Sequence, residues 1–175
     1  MDPDRDRFEA LFLAHYPAVV RYALRRVGEH AAPEVVSETF LVAWRRLPDV
    51  PDNALPWLYA TARRIAANEL RRQRRSRAFT ERLAADRISE SGDPADAVDT
   101  RLRVTAALAG MSERDREVLR LHAWEQLAPA DAAHVLGCST AAYKVRLHRA
   151  RRRLAALLGD EGRDVRLPTA QENLT

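Results

Sequence analysis

Thirteen cations gathered into two short segments are the most conspicuous chemistry this sequence offers. Between Arg63 and Arg77 stand seven arginines (63, 64, 71, 72, 74, 75 and 77) against one acid, Glu69. Between Lys144 and Arg153 stand six cations, Lys144, Arg146, Arg149, Arg151, Arg152 and Arg153, and no acid. Setting these aside leaves 16 cations against 24 acids, so an acidic body carries two basic footprints although the whole chain is only +4. Two separated footprints of this kind point to two separate contacts with a polyanion.

Helical projection at roughly 100° per residue sorts the second footprint into faces. Tyr143, Leu147, Ala150, Leu154 and Leu157 share one side, the expected core side. Ala141, Val145, His148, Arg149 and Arg152 share the opposite side, with Lys144 on its flank. Long cations beside small side chains suit a DNA major groove, where they reach base edges and phosphates. Just upstream, Ala132, Ala133, Val135 and Leu136 precede Gly137-Cys138-Ser139, a glycine turn that fits a helix-turn-helix.

In the first footprint, Trp57, Thr61, Arg64, Asn68, Arg71 and Arg75 fall within about 40° of one line, with Arg72 beside it. Leu58, Ala62 and Ile65 form the neighbouring apolar stripe. A flat ring, an amide, a hydroxyl and guanidinium groups together can grip unpaired bases and their backbone. Trp57 fits either that role or a place in the core. The arginines are expected to contact phosphate before they read sequence.

A third candidate surface is apolar. The segment after Pro33 places Val36, Thr39, Phe40, Ala43 and Leu47 on one stripe, with Trp44 at its edge. Leu41 projects about 140° away, beside Glu38 and Arg45, and Val42 lies off the stripe on the other side. An outward Leu framed by charges suits docking against a partner helix.

These faces need helices to carry them, and helical spacing dominates from Phe8 onward. Pro17 predicts a kink or a break between two short helices. Pro33 predicts the first turn of a new helix, and another is expected near Pro56-Trp57. Asp93-Pro94 predicts a further helix start, running through Val98, Leu102, Thr105 and Leu108. Ser112-Glu113-Arg114-Asp115 predicts the next, through Val118, Leu119, Leu121 and Trp124. The expectation is an all-α chain of two small helical domains joined by a linker, the C-terminal one containing the helix-turn-helix. The bounds are 5–76, a linker 77–92, 93–159 and a tail 160–175.

Composition excludes several classes. Apolar residues make up 46% and charged residues 31%, as in a globular protein, and no apolar run approaches a membrane span. The charged start of the chain has no apolar signal stretch, which leads to an expectation of a cytoplasmic protein without membrane insertion. Cys138 is the single cysteine, so an internal disulfide is impossible and no multi-cysteine zinc site can form. No clustered carboxylates, metal-ligand spacing, Gly-rich phosphate loop or Ser/His/Asp arrangement marks an enzyme, and no cofactor is expected.

Taken together, the motifs resemble a known family. Glu34-Val35-Val36-Ser37-Glu38-Thr39-Phe40-Leu41-Val42-Ala43-Trp44-Arg45 resembles the polymerase-binding helix of sigma factor region 2. Pro56-Trp57-Leu58-Tyr59-Ala60-Thr61-Ala62-Arg63-Arg64 resembles its promoter-melting and minus-10 helix. Ser112 to Leu121, and Leu136 through Arg151, resemble region 4. The whole is similar to the extracytoplasmic-function (ECF) sigma factors over residues 8 to 158. The resemblance implies core RNA polymerase and promoter DNA as partners, and an anti-sigma factor as a further one. Glu38, Leu41, Val42 and Arg45 would then hold polymerase. Trp57, Thr61, Arg64, Asn68, Arg71, Arg72 and Arg75 would contact the minus-10 region. Lys144, Val145, His148, Arg149 and Arg152 would contact the minus-35 element. The resemblance further implies that the loop from Asp49 to Leu55 holds a flipped non-template base. Pro33, Gln126, Ala128-Pro129-Ala130 and Ala142-Tyr143 depart from the family pattern. The rival from another class is a helix-turn-helix regulator that binds duplex DNA without polymerase.

Overall fold

A computed structural model describes residues 3–81 and 96–159. The chain divides into two compact units, Met1–Arg87 and Ile88–Thr175. All regular structure among the described residues is helical. The N-cap expected at Asp93-Pro94, most of the expected linker and the tail lie outside those residues.

In the first unit, α1 (Pro3–Arg45) consists of two arms that meet at Gly28. Gly28 has φ 77° and ψ 175°, a conformation open in practice only to glycine. The arms fold back on each other: Phe12 meets Phe40 at 4.7 Å between ring centroids, and Phe8 meets Trp44 edge-on at 5.1 Å. The break therefore sits at Gly28 and not at Pro17, which is carried inside the first arm. Aromatic packing of Phe12 and Tyr16 on Phe40 holds the helix on the N-terminal side of Pro17, and buried Val19 and Tyr22 hold it on the other. Pro33 likewise lies in the second turn after the Gly28 break rather than the first.

The second arm buries Val36, Thr39, Phe40 and Ala43, and Leu47 follows in a short 3-10 turn, Leu47–Asp49. Thr39 can be buried because its hydroxyl donates to the Val35 carbonyl at 2.6 Å. Next, α2 (Ala54–Glu81) takes Pro56 within its first turn, where no helical N–H bond is forfeited. It continues to Glu81, into the stretch read as linker. Leu58, Tyr59, Ala62 and Ala66 are buried against α1, while Ile65 is half-buried. Tyr22 of α1 stacks on Tyr59 at 4.6 Å, and the Arg26 guanidinium caps the Tyr22 ring at 3.4 Å.

The second unit contains α3 (Asp96–Ala109), α4 (Glu113–Ala123), α5 (Pro129–Leu136) and α6 (Thr140–Leu158). Ser112 caps α4 by accepting from the Asp115 N–H at 3.2 Å. The core joins Ala107 and Met111, Leu119 of α4, and Ala150, Leu154 and Leu158 of α6, with Val104, Leu108 and Leu147 packed on it. One expected core position moves. Leu157 is 48% exposed and Leu158 only 8%, because α3 packs on the Leu158 side of the helix end, where Arg103 donates to the Leu158 carbonyl at 3.2 Å. On α3 the packed face is Val104, Ala107 and Leu108, which leaves Thr105 exposed.

Candidate nucleic-acid and partner interfaces

The turn between α5 and α6 is built by local rules. Gly137 adopts the left-handed conformation (φ 65°, ψ 42°) and donates its N–H to the His134 carbonyl at 3.1 Å. The Cys138 N–H reaches the Ala133 carbonyl at 3.0 Å. This pair of bonds is the Schellman pattern, which closes a helix and redirects the chain. Ser139 then caps α6, its hydroxyl accepting from the Ala142 N–H at 3.2 Å. Ala132, Ala133 and Val135 are buried, and their small volumes let α5 lie close on Tyr143 and the rest of α6.

The outward face of α6 holds what the projection places there: Ala141, Lys144, Val145, His148, Arg149 and Arg152 are all exposed. Val145 is 49% exposed, an apolar side chain at the centre of a cationic face. Two other arginines of the run are tied inward. Arg153 donates to the Asp115 carboxylate of α4 at 2.5 Å, and Arg151 hydrogen-bonds the His122 ring of α4. A guanidinium only donates, so His122 Nε2 accepts and the ring is neutral. Burial and the Arg151 charge both hold the His122 pKa below its ordinary range. Lys144, Arg146, Arg149 and Arg152 have no such partner among the described residues.

On α2, Arg64, Asn68, Arg71 and Arg75 are exposed along one line, and Thr61 and Trp57 are half-buried at its start. The Asn68 amide oxygen accepts from Arg71 Nη2, while Arg71 Nε bonds the Ala67 carbonyl at 3.2 Å. Arg74 joins Asn68, Arg71 and Arg75 around a shallow concavity, although it lies off the projected line. A long guanidinium arm reaches farther than an angular projection can register. Arg72 is set apart. It pairs with Glu34 of α1 at 3.1 Å and Glu69 at 2.8 Å, so it braces α2 against α1.

The second arm of α1 leaves Glu38, Leu41 and Arg45 exposed and Val42 half-buried. Leu41 is 40% exposed and Trp44 43%, beside a row of rings formed by Phe8, Phe12 and Phe40. No group of three or more His, Cys, Asp or Glu among the described residues is placed to hold a metal ion. No described helix is long and apolar enough to cross a membrane.

Comparison with known proteins covers both units. Residues 11–76 match the family model for sigma-70 region 2, and residues 101–154 match that for sigma-70 region 4. The chain is 34% identical over 164 residues to the ECF RNA polymerase sigma factor SigL of Mycobacterium tuberculosis, covering 87% of this chain and 89% of that one. It is 31% identical over 169 residues to the RNA polymerase sigma factor NccH of Alcaligenes xylosoxydans, covering 89% and 88%. Among solved structures, it is similar to the sigma factor RpoE bound to the anti-sigma factor NepR from Bartonella quintana. That match has a TM-score of 0.64 and 25% identity, covering 86% of this chain and 96% of that one. CnrH in complex with the cytosolic domain of CnrY gives a TM-score of 0.60 and 28% identity, covering 86% of each.

Proposed function

Because this chain belongs to the ECF sigma factors of RNA polymerase, we propose that its three surfaces divide the work of promoter-specific transcription initiation. The C-terminal domain, residues 93–159, sets α6 in the major groove of a minus-35 element. Lys144, Val145, His148 and Arg149 face base edges there, and Arg152 faces phosphate. The N-terminal domain, residues 5–76, handles the minus-10 region. Arg64, Asn68, Arg71 and Arg75 track its backbone, Trp57 and Thr61 stand where an unpaired base can stack, and the loop from Asp49 to Leu55 holds a flipped base. Arg72 enters mainly by holding α2 on α1. Glu38, Leu41, Val42 and Arg45 dock on a helical surface of core polymerase. An anti-sigma factor, such as NepR bound to the RpoE relative, competes for these surfaces. The protein works in the cytoplasm and contributes binding, with no bond made or broken on its own side chains.

One observation carries this reading. Of the six cations between Lys144 and Arg153, those without a histidine or carboxylate partner lie on the exposed side of α6, opposite the side that packs in the core, on a helix set by a Schellman turn and a serine cap.

Association with core polymerase separates this reading from a regulator that binds DNA alone. Leu41→Asp places an unpaired charge in the contact and should weaken association by about 2 kcal/mol or more. The melting curve and duplex DNA binding should stay as in the unaltered chain, because Leu41 lies off the core. Failure of the unaltered chain to bind core polymerase would overturn the proposal.

A further inference from the structure

The apex of the loop that precedes α2 is held from a distant part of the chain. Arg7, on the first arm of α1, donates from Nη2 to the Val50 carbonyl at 2.8 Å across 43 positions of sequence. Its neighbour Phe8 is docked on Trp44, which fixes the height of Arg7 along the arm. The near side of the loop is fixed as well. The Val50 side chain is buried, its N–H reaches the Leu47 carbonyl at 3.2 Å, and Arg46 grips Asp49 at 2.9 Å. On the far side Ala54 is buried where α2 begins. Only Pro51, Asp52 and Asn53 stand exposed between these anchors.

That apex adjoins the start of the Trp57, Thr61 and Arg64 line. Its chemistry differs from the arginines beside it. An Asp carboxylate repels phosphate but accepts from the exocyclic amino group of a base, and an Asn amide both donates and accepts. Such groups discriminate only if their backbone is set in advance, since a base contact depends on angle as well as distance. The peptide plane leaving Val50 sets the direction of Pro51 to Asn53. A charge-assisted bond from Arg7 is stronger than a neutral one and fixes that plane.

We infer that Arg7 is a positioning residue for base recognition at the minus-10 region, acting through the Val50 carbonyl on the Pro51–Asn53 apex. This rests on the promoter-reading role proposed above. Two measurements keep the two claims distinguishable. The first uses the free full-length chain: Arg7→Ala should speed amide hydrogen exchange at Val50, whose N–H bonds the Leu47 carbonyl, by about tenfold and leave α2 unchanged. Unchanged exchange at the Val50 amide overturns the inference whatever the protein binds. The second uses the chain assembled with core polymerase on promoter fragments varied one base at a time. Arg7→Ala should lose about fivefold or more of the preference at one minus-10 position and keep its minus-35 preferences. Arg7→Lys, which can still donate to a carbonyl, should recover most of that preference, and Arg5→Ala should match the unaltered chain. Equal weakening at every position by Arg7→Ala and Arg5→Ala would mark a general charge effect and overturn the inference.

Discussion

Arg153 on α6 donates to the carboxylate of Asp115 on α4 across 2.5 Å, and this one bond separates Arg153 from Arg152 next to it in sequence. Asp115, Leu119 and His122 follow one stripe of α4 that crosses α6, so Asp115 takes Arg153 and His122 takes Arg151 while Leu119 joins Ala150 in the core. The basic run thus contains arginines that hold the unit together and arginines that look outward. Arg153→Ala should cost up to about 1 kcal/mol of stability, as exposed ion pairs do. Arg149→Ala should cost about 1–3 kcal/mol of minus-35 binding and relax preference at one or two positions. Arg152→Ala should weaken all sequences alike and lower the salt slope by about 1. Thermal melting checks the first and titration of duplexes at several salt concentrations the other two, and equal loss of sequence preference in Arg149→Ala and Arg152→Ala would contradict the assigned face.

The His122 contact makes the same unit acid-sensitive. His122 accepts from Arg151 only when neutral, and its folded pKa lies below 6.5, chiefly through burial and then through the Arg151 charge. Above 6.5 the ring is neutral folded or unfolded, and the contribution is complete. As pH falls below 6.5 the unfolded chain takes the proton first, so stability is lost as pH drops through the folded pKa. The denaturant midpoint of unfolding should therefore fall as pH drops below 6.5, and His122→Gln should flatten that dependence. An undiminished acid response in His122→Gln would place its origin elsewhere.

The fold of the first unit depends on Gly28. No atom would obstruct a Cβ there, so the penalty for Gly28→Ala is purely one of backbone conformation, about 1–3 kcal/mol. Pro17 lies inside a continuous arm, where proline costs a helix bond. Pro17→Ala should accordingly stabilise the unit by up to about 3 kcal/mol. Thermal melting of the two variants checks the pair. A destabilised Pro17→Ala would mean that the proline is needed as a break.

Two departures from the family pattern have local costs. Gln126 adopts φ 50°, a left-handed conformation that a glycine takes without strain. Ala128 occupies the N-cap of α5 with no side-chain bond to offer. Gln126→Gly should gain up to about 1 kcal/mol after the entropy that glycine loses on folding. Ala128→Ser should gain about 0.5–2 kcal/mol by capping α5. Guanidinium unfolding followed at Trp124 measures both, and a loss in either variant would contradict the backbone reading.

What could be read in advance follows a physical divide. Periodicity identifies which side of a helix is apolar, so Val36, Thr39, Phe40, Ala43 and Leu47 were legible as core and Leu41 as outward. Turn chemistry is equally local, which made Gly137-Cys138-Ser139 legible. Contacts between helices are not local. Nothing in the spacing of the arginines distinguishes Arg72, held by Glu34 from 38 positions away, from Arg71 beside it. The same holds for Arg7 and Val50, and for the choice of Leu158 over Leu157, which depends on where α3 packs. The Gly28 hinge was hidden because proline is the stronger helix breaker on paper, while aromatic packing carries the first arm through Pro17.

The central claim is that this protein gives core polymerase its choice of promoter. Its most direct test is to transcribe a genomic promoter library with core polymerase and sequence the RNA 5′ ends, with the chain present, absent, or carrying Lys144→Ala and Arg149→Ala together. The account predicts a discrete set of start sites that requires the chain and a double variant that still binds polymerase but loses that set. Start sites that are the same with and without the chain would contradict it.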